Sequence, residues 1–229
     1  MISERLHKVR EEISMAEKKA GQPGGFVKLV AVSKTFEENY ILEAIEAGCL
    51  TFGENRIQEA KRKIETLGHD KTKWHLIGHL QKNKVKYIYD LFDLIHTVES
   101  IELGKVINNG AQNRNVVIPV LVQVNIASET TKSGVEPHRL EDLLVKLSHL
   151  SGLKVQGLMT IPPLTYDIEK SRRYFSELRE LRDKMMLSNI ENIKLNELSM
   201  GMSRDYKIAI EEGASIVRIG SAIFGKRTN

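Results

Sequence analysis

The sequence predicts one (β/α)₈ barrel, and three observations carry that prediction. Eight short runs rich in β-branched and apolar residues alternate with longer charged stretches of helical period. The 229 residues suffice for a closed barrel of this class, whose smallest examples have about 200. A leading amphipathic segment is set apart from the repeat by strong punctuation, Gly21-Gln22-Pro23-Gly24-Gly25. An open doubly wound sheet is the competing arrangement. Eight units favour closure, because open sheets that wide are uncommon.

Residues 2–20 carry Ile2, Leu6, Val9, Ile13 and Ala16 on one face and predict the extra N-terminal helix. Strands are expected at 28–33, 50–53, 74–77, 94–98, 117–124, 154–159, 194–199 and 215–219, each a run such as Leu29-Val30-Ala31-Val32. Helices are expected at 37–47, 56–67, 101–112, 137–150, 167–187 and 204–212, the first placing Ile41, Leu42 and Ile45 together. The stretch from Arg56 to Asp90 holds nine basic residues against four acidic ones and reads as two solvated amphipathic helix faces. Nucleic acid is the weaker alternative for that stretch, since no RNA-binding or helix-turn-helix signature accompanies it. The whole chain, 1–229, is expected to be one domain, with 1–20 packed on the barrel.

Composition narrows the class further. Hydrophobic residues make 41%, enough at this length for a large core without disulfides or metal. Sixteen Gly and five Pro exclude a collagenous chain. The first ten residues are charged from Glu4 onward, so no signal peptide is expected, and no apolar stretch nears the ~18 residues of a membrane span. The one cysteine, Cys49, cannot make an internal disulfide, which points to a reducing cytoplasm.

In barrels of this class the chemistry sits where strands end. Lys34 follows the first strand. At that position it either snorkels to solvent or enters the mouth, partly desolvated, as an amine nucleophile for aldehydes. Gly201 and Ser203 follow the seventh strand and Gly220 and Ser221 the eighth, the places where barrels commonly bind phosphate; the alternative is that these glycines merely end strands. Arg218 shares a strand face with Gly220 and looks into the mouth. A lysine, a phosphate cup and an arginine between them describe a site for pyridoxal 5′-phosphate (PLP). The aldehyde would join Lys34 as a Schiff base, the phosphate would lie on the cup, and Arg218 would face the ring nitrogen and disfavour its protonation.

The segments LVAVSKT, FGENRIQEA, WHLIGHLQKNK, VNIASETTKSGV, GLMTIPP, LSMGMSRDY and VRIGSAIFG, spanning most of the chain in order, resemble the PLP homeostasis protein family of YggS/PROSC type. The resemblance implies a barrel like that of alanine racemase. It also implies PLP contacts at Lys34, Asn55, Ser203, Arg218, Gly220 and Ser221. It further implies a binding protein that keeps PLP and amino- and keto-acid pools in balance rather than a catalyst, possible receivers of the cofactor being PLP-dependent apoenzymes. A slow amino-acid racemase is the alternative. Racemisation needs acid/base groups on both faces of the cofactor, and the resemblance implies that the second, β-rich domain of alanine racemase is absent here. A monomer is therefore expected, without nucleic-acid or membrane partners.

Three further patterns fall short of a site. Gly220 to Lys226 nearly satisfies a nucleotide P-loop, but Arg227 replaces its Ser or Thr. His75 and His79 have metal-like spacing without further ligands, so no metal site is expected. Lys132 and the run Lys82, Lys84, Lys86 are expected on a solvated surface.

Overall fold

A computed structural model describes residues 1–129, 131–165 and 167–225. Its eight strands are parallel and close into a barrel in chain order, the last pairing with the first. The order is α1 (Ile2–Lys19), β1 (Lys28–Val32), α2 (Glu38–Glu46), β2 (Thr51–Glu54), α3 (Ile57–Leu67) and β3 (Lys73–Leu76). Then come a 3₁₀ turn (Lys82–Tyr87), β4 (Leu94–Val98), α4 (Ile101–Gln112), β5 (Ile118–Gln123), a second 3₁₀ turn (Pro137–Arg139) and α5 (Leu140–Ser148). The chain continues through β6 (Leu153–Met159), α6 (Ile168–Leu187), β7 (Glu197–Ser199), α7 (Tyr206–Glu211), β8 (Ile216–Ile219) and α8 (Ser221–Phe224).

The strands alternate between two apolar environments, as parallel strands covered on both faces must. Val30, Leu94, Leu121, Met159 and Ile216 pack together inside the barrel. Ala31, Phe52, Trp74 and Ile95 belong to the larger core shared with the helices. Trp74 is fully buried, stacks at 5.3 Å on Phe52 and donates its indole N–H to Thr72 Oγ1 at 2.9 Å. Nearer the carboxyl ends the buried strand residues turn polar: His96, Gln123, Ser199 and Arg218. That change in composition marks the end where chemistry can sit.

The N-terminal helix buries the predicted stripe, Ile2, Leu6, Val9, Ile13 and Ala16, against α2, α7 and α8. Each large apolar side chain so buried contributes about 1.5–3 kcal/mol. Its last turn also sets the entry to the barrel. Buried Glu17 accepts the amides of Gly25 at 3.2 Å and Val27 at 2.7 Å, which fastens the glycine-rich loop ahead of β1.

Some elements differ from expectation. The basic stretch from Arg56 to Asp90 forms one α-helix before β3 and one 3₁₀ turn after it, not two solvated helices. In the turn, Val85 is the one buried side chain, too little apolar surface to hold an α-helix on the barrel. Lys63 corrects the solvated reading more sharply, being wholly buried between strands and helix. Pro137 begins a 3₁₀ turn, so α5 starts at Leu140, and β7 is paired only over Glu197–Ser199. A short α8 follows β8 where only strand-end residues were expected; its Phe224 ring lies 5.0 Å from that of Phe36. No helix among the described residues is long and apolar enough to cross a membrane.

Candidate functional site

At the carboxyl ends of the strands lies a cavity of about 440 Å³, within the usual size of small-molecule sites. Six residues singled out in the sequence line it: Lys34, Asn55, Ser203, Arg218, Gly220 and Ser221. They come from four different βα connections, so only barrel closure brings them together. Lys34 sits in the turn just after β1, partly buried.

Asn55 is set by a close approach of two backbones. A Cβ on Gly78 would stand 2.3 Å from the Asn55 carbonyl oxygen, so the turn after β3 must be glycine for the turn after β2 to lie where it does. Gly201 serves the same purpose behind the cup. It has φ +88°, its carbonyl accepts the Arg218 amide at 3.0 Å, and a Cβ there would fall 2.5 Å from Ala209 Cβ. It packs under the site, and Met202, Ser203 and Asp205 after it face the cavity. The Ser203 hydroxyl accepts the amides of Gly220 at 3.2 Å and Ala222 at 3.3 Å. The Ser203 oxygen is thereby fixed between two adjacent loops with its own proton left to donate, and Ser221 lines the cavity with it, hydroxyl donors of the kind an anionic group requires.

Arg218 is held from within the barrel. It is 3% exposed; Nη1 donates to Ser199 Oγ at 2.7 Å and Nη2 to the Thr160 carbonyl at 2.8 Å. Burial lowers its pKa to about 10, against the opposing pull of Asp205, so it remains a cation at neutral pH. The network continues inward: Ser199 Oγ lies 2.9 Å from His96 Nδ1, and His96 Nε2 lies 3.0 Å from His75 Nδ1. A serine hydroxyl that accepts from a guanidinium has its proton left for His96 Nδ1. With that proton given to His96 Nδ1, His96 takes the Nε2–H tautomer and donates to His75; the opposite tautomer reverses both roles. Both imidazoles are neutral: burial drives His75 to about 3 and His96 well below its ordinary value.

Sequence reasoning missed part of the lining. Ile161, Pro162, Pro163 and Leu164 line the cavity, as do buried Ser171 and half-buried Asp205. Burial pushes the Asp205 carboxyl up, while the Met202 amide, donating at 2.7 Å, pulls it down. The Pro162-Pro163 pair shortly after β6 was the available signal for a rigid wall.

The patterns set aside lie elsewhere. His79 is about half exposed and 3.4 Å from Glu99, apart from His75, and among the described residues no group of three His, Cys, Asp or Glu could hold a metal. Lys132 pairs with Glu129 at 3.0 Å. Of the basic stretch, Arg62 pairs with Glu38 at 3.0 Å, Lys61 with Glu65 at 3.5 Å, and Lys86 stands over the Tyr87 ring, which leaves less free charge than the sequence suggests. Cys49 is buried, and burial raises its thiol pKa, so it is inert as a nucleophile. Lys226 and Arg227 of the P-loop-like run lie outside the described residues.

Known proteins resemble this chain over nearly its whole length. The alanine racemase N-terminal domain family matches residues 5–228. A pyridoxal phosphate homeostasis protein of Aquifex aeolicus is 46% identical over 98% of this chain and 97% of its own length. PipY of Synechococcus elongatus, 34% identical, covers 98% of this chain and all of its own; its structures without and with PLP superpose at TM-scores of 0.88 and 0.86. An alanine racemase of Clostridium difficile shares the fold at 15% identity and TM-score 0.71, this chain covering 60% of it.

Proposed function

The chain belongs to the pyridoxal phosphate homeostasis protein family, built on the alanine racemase N-terminal domain, and from that premise we propose that it holds PLP in the mouth of the barrel and maintains intracellular PLP and amino- and keto-acid balance. The carrying observation is the convergence of Lys34, Arg218 and the Ser203–Gly220–Ser221 cup on one cavity. The PLP-bound PipY relative supports it. The donor set fits the group: serine hydroxyls for a phosphate, an amine for an aldehyde, and a buried cation for the far end.

When bound, PLP supplies an aldehyde that condenses with amines and a ring that withdraws electron density from them. The residues divide the remaining work. Ser203, whose hydroxyl oxygen the Gly220 and Ala222 amides hold in place, and Ser221 turn their hydroxyls to a phosphate of about −1.5 to −2 charge. Lys34 brings its Nζ as the point of covalent attachment. Arg218 keeps a cation deep in the site and opposes protonation of a pyridine nitrogen brought to it, which weakens the ring as an electron sink. Asn55 lines the side of the cavity by Lys34. The finer reading is a cytoplasmic monomer, one domain over 1–229, that releases PLP to apoenzymes and turns over no substrate of its own.

Purified protein is expected to be yellow, and borohydride should fix a pyridoxyl group on Lys34. A colourless protein that takes up no added PLP overturns the reading. The shared barrel of alanine racemase favours a second reading, slow racemisation. Solvent deuterium exchange at Cα of added amino acids, at enzyme-like rates and abolished by Lys34→Ala, would establish it instead.

A further inference from the structure

Directly behind the turn that carries Lys34, outside the cavity, lies a cluster of charges that the function above leaves unused. Lys63 of α3 and Glu54 of β2 are both fully buried. The Lys63 ammonium donates to three acceptors, each at 2.7 Å: the Ser33 carbonyl, Glu54 Oε1 and Glu59 Oε1. Its three protons are thereby all used. Glu54 Oε1 also accepts the Ser33 hydroxyl at 2.6 Å, and Glu59 Oε1 accepts the Thr35 amide at 2.5 Å. Burial pushes the Glu54 carboxyl up, against the pull of Lys63 and Ser33. The residues on both sides of Lys34 are thus tied into one cluster, Ser33 to Glu54 and Lys63 and Thr35 to Glu59.

Two features argue that this cluster does more than fill space. Buried ion pairs seldom stabilise a fold better than apolar packing of equal volume, so an interior lysine between two glutamates is weak support for stability. Its bonds also converge on one turn. Thr35 within that turn has φ +69°, a left-handed conformation rare for a β-branched residue, which persists only where neighbours hold it. Glu59 supplies that hold through the Thr35 amide.

We propose that Lys63, Glu54 and Glu59 are positioning residues that fix the Ser33–Thr35 turn and so aim the Lys34 amine at the aldehyde carbon. This rests on the reading of Lys34 as the attachment point. In attachment, the Lys34 nitrogen adds to the aldehyde carbon, a C=N bond forms, and the aldehyde oxygen departs with the two amine protons as one water. No oxidant or reductant enters. Such an addition depends steeply on placement, a shift of about 1 Å costing on the order of a hundredfold. Phosphate capture depends on the loops after β7 and β8, which the cluster does not touch.

The test separates the two. Glu59 is only partly buried, so Glu59→Ala and Glu59→Gln are expected to fold. Glu59→Ala should attach PLP at least tenfold more slowly, followed by growth of the visible band and by borohydride trapping. Glu59→Gln, which keeps an oxygen acceptor for the Thr35 amide, should stay within about threefold of the parent. The double variant Glu54→Gln/Lys63→Met, which removes both enclosed charges together, should resemble Glu59→Ala. Pyridoxine 5′-phosphate, which carries an alcohol in place of the aldehyde, should bind all of them within about twofold of the parent. Unchanged attachment in Glu59→Ala overturns the proposal, as does an equal fall in attachment and in pyridoxine 5′-phosphate affinity, which marks a merely structural role. Parent protein that binds pyridoxine 5′-phosphate yet never attaches PLP overturns the reading of Lys34 and this proposal with it.

Discussion

Arg218 concentrates the physics of the site in one side chain. A guanidinium removed from water survives because Ser199 and the Thr160 carbonyl replace part of its hydration. Arg218→Ala should therefore act twice. It leaves the Thr160 carbonyl and the serine–histidine chain short of a donor, with a loss of about 3 kcal/mol in unfolding free energy. It also removes the cation proposed for the ring-nitrogen end, with at least a tenfold loss of PLP affinity expected. Urea titration and cofactor titration of the same preparation measure the two effects, and a variant as stable as the parent would show that the buried bonds contribute nothing. That Arg218 faces the mouth was legible from its place two residues before Gly220. Its partners were not, because Ser199 and Thr160 are distant in sequence.

Among the elements, the link from β7 into α7 is the most constrained. Gly201 takes a left-handed backbone while Tyr206 Cα lies 2.9 Å and Ala209 Cβ 2.5 Å from where its own Cβ would be. Neither neighbour can move without shifting α7. Gly201→Ala should thus destabilise by about 2–4 kcal/mol through strain and overpacking together, read as a fall in thermal midpoint. A change under about 0.5 kcal/mol would mean that the helix adapts. The sequence placed a glycine at this strand end and suggested a phosphate contact; the structure adds that Gly201 carries the packing while Ser203 faces the cavity. Elements with a regular apolar period, such as α1 and α4, matched expectation closely. The 3₁₀ turn at Lys82–Tyr87 has no such period and left no signal to read.

For the whole molecule, the buried histidine pair ties stability to pH. In the unfolded chain each histidine takes up a proton near pH 6.5. In the fold His75 stays neutral down to about pH 3, and burial holds His96 neutral as well. Between those limits the unfolded state binds more protons, so stability falls as pH is lowered. The contribution is complete above about pH 6.5 and is lost on acidification, at up to about 1.4 kcal/mol per pH unit for each histidine. Urea midpoints at pH 7 and pH 5 should fall less for His75→Asn than for the parent protein. Equal falls would mean that His75 is protonated in the fold.

By itself the sequence determined the barrel and the places where its chemistry could sit. Period and punctuation are local properties, and the rule that strand ends carry function needs only the strand positions. Only the tertiary structure decided which charges are buried and which groups share protons. Glu59 and Lys63 stand one helical turn apart and could be paired on paper. Glu54 joins them because β2 lies beneath α3, and His75, His96 and Ser199 meet because barrel closure points three strands at one axis. Pairing of that kind depends on distances across the fold, which no local pattern encodes.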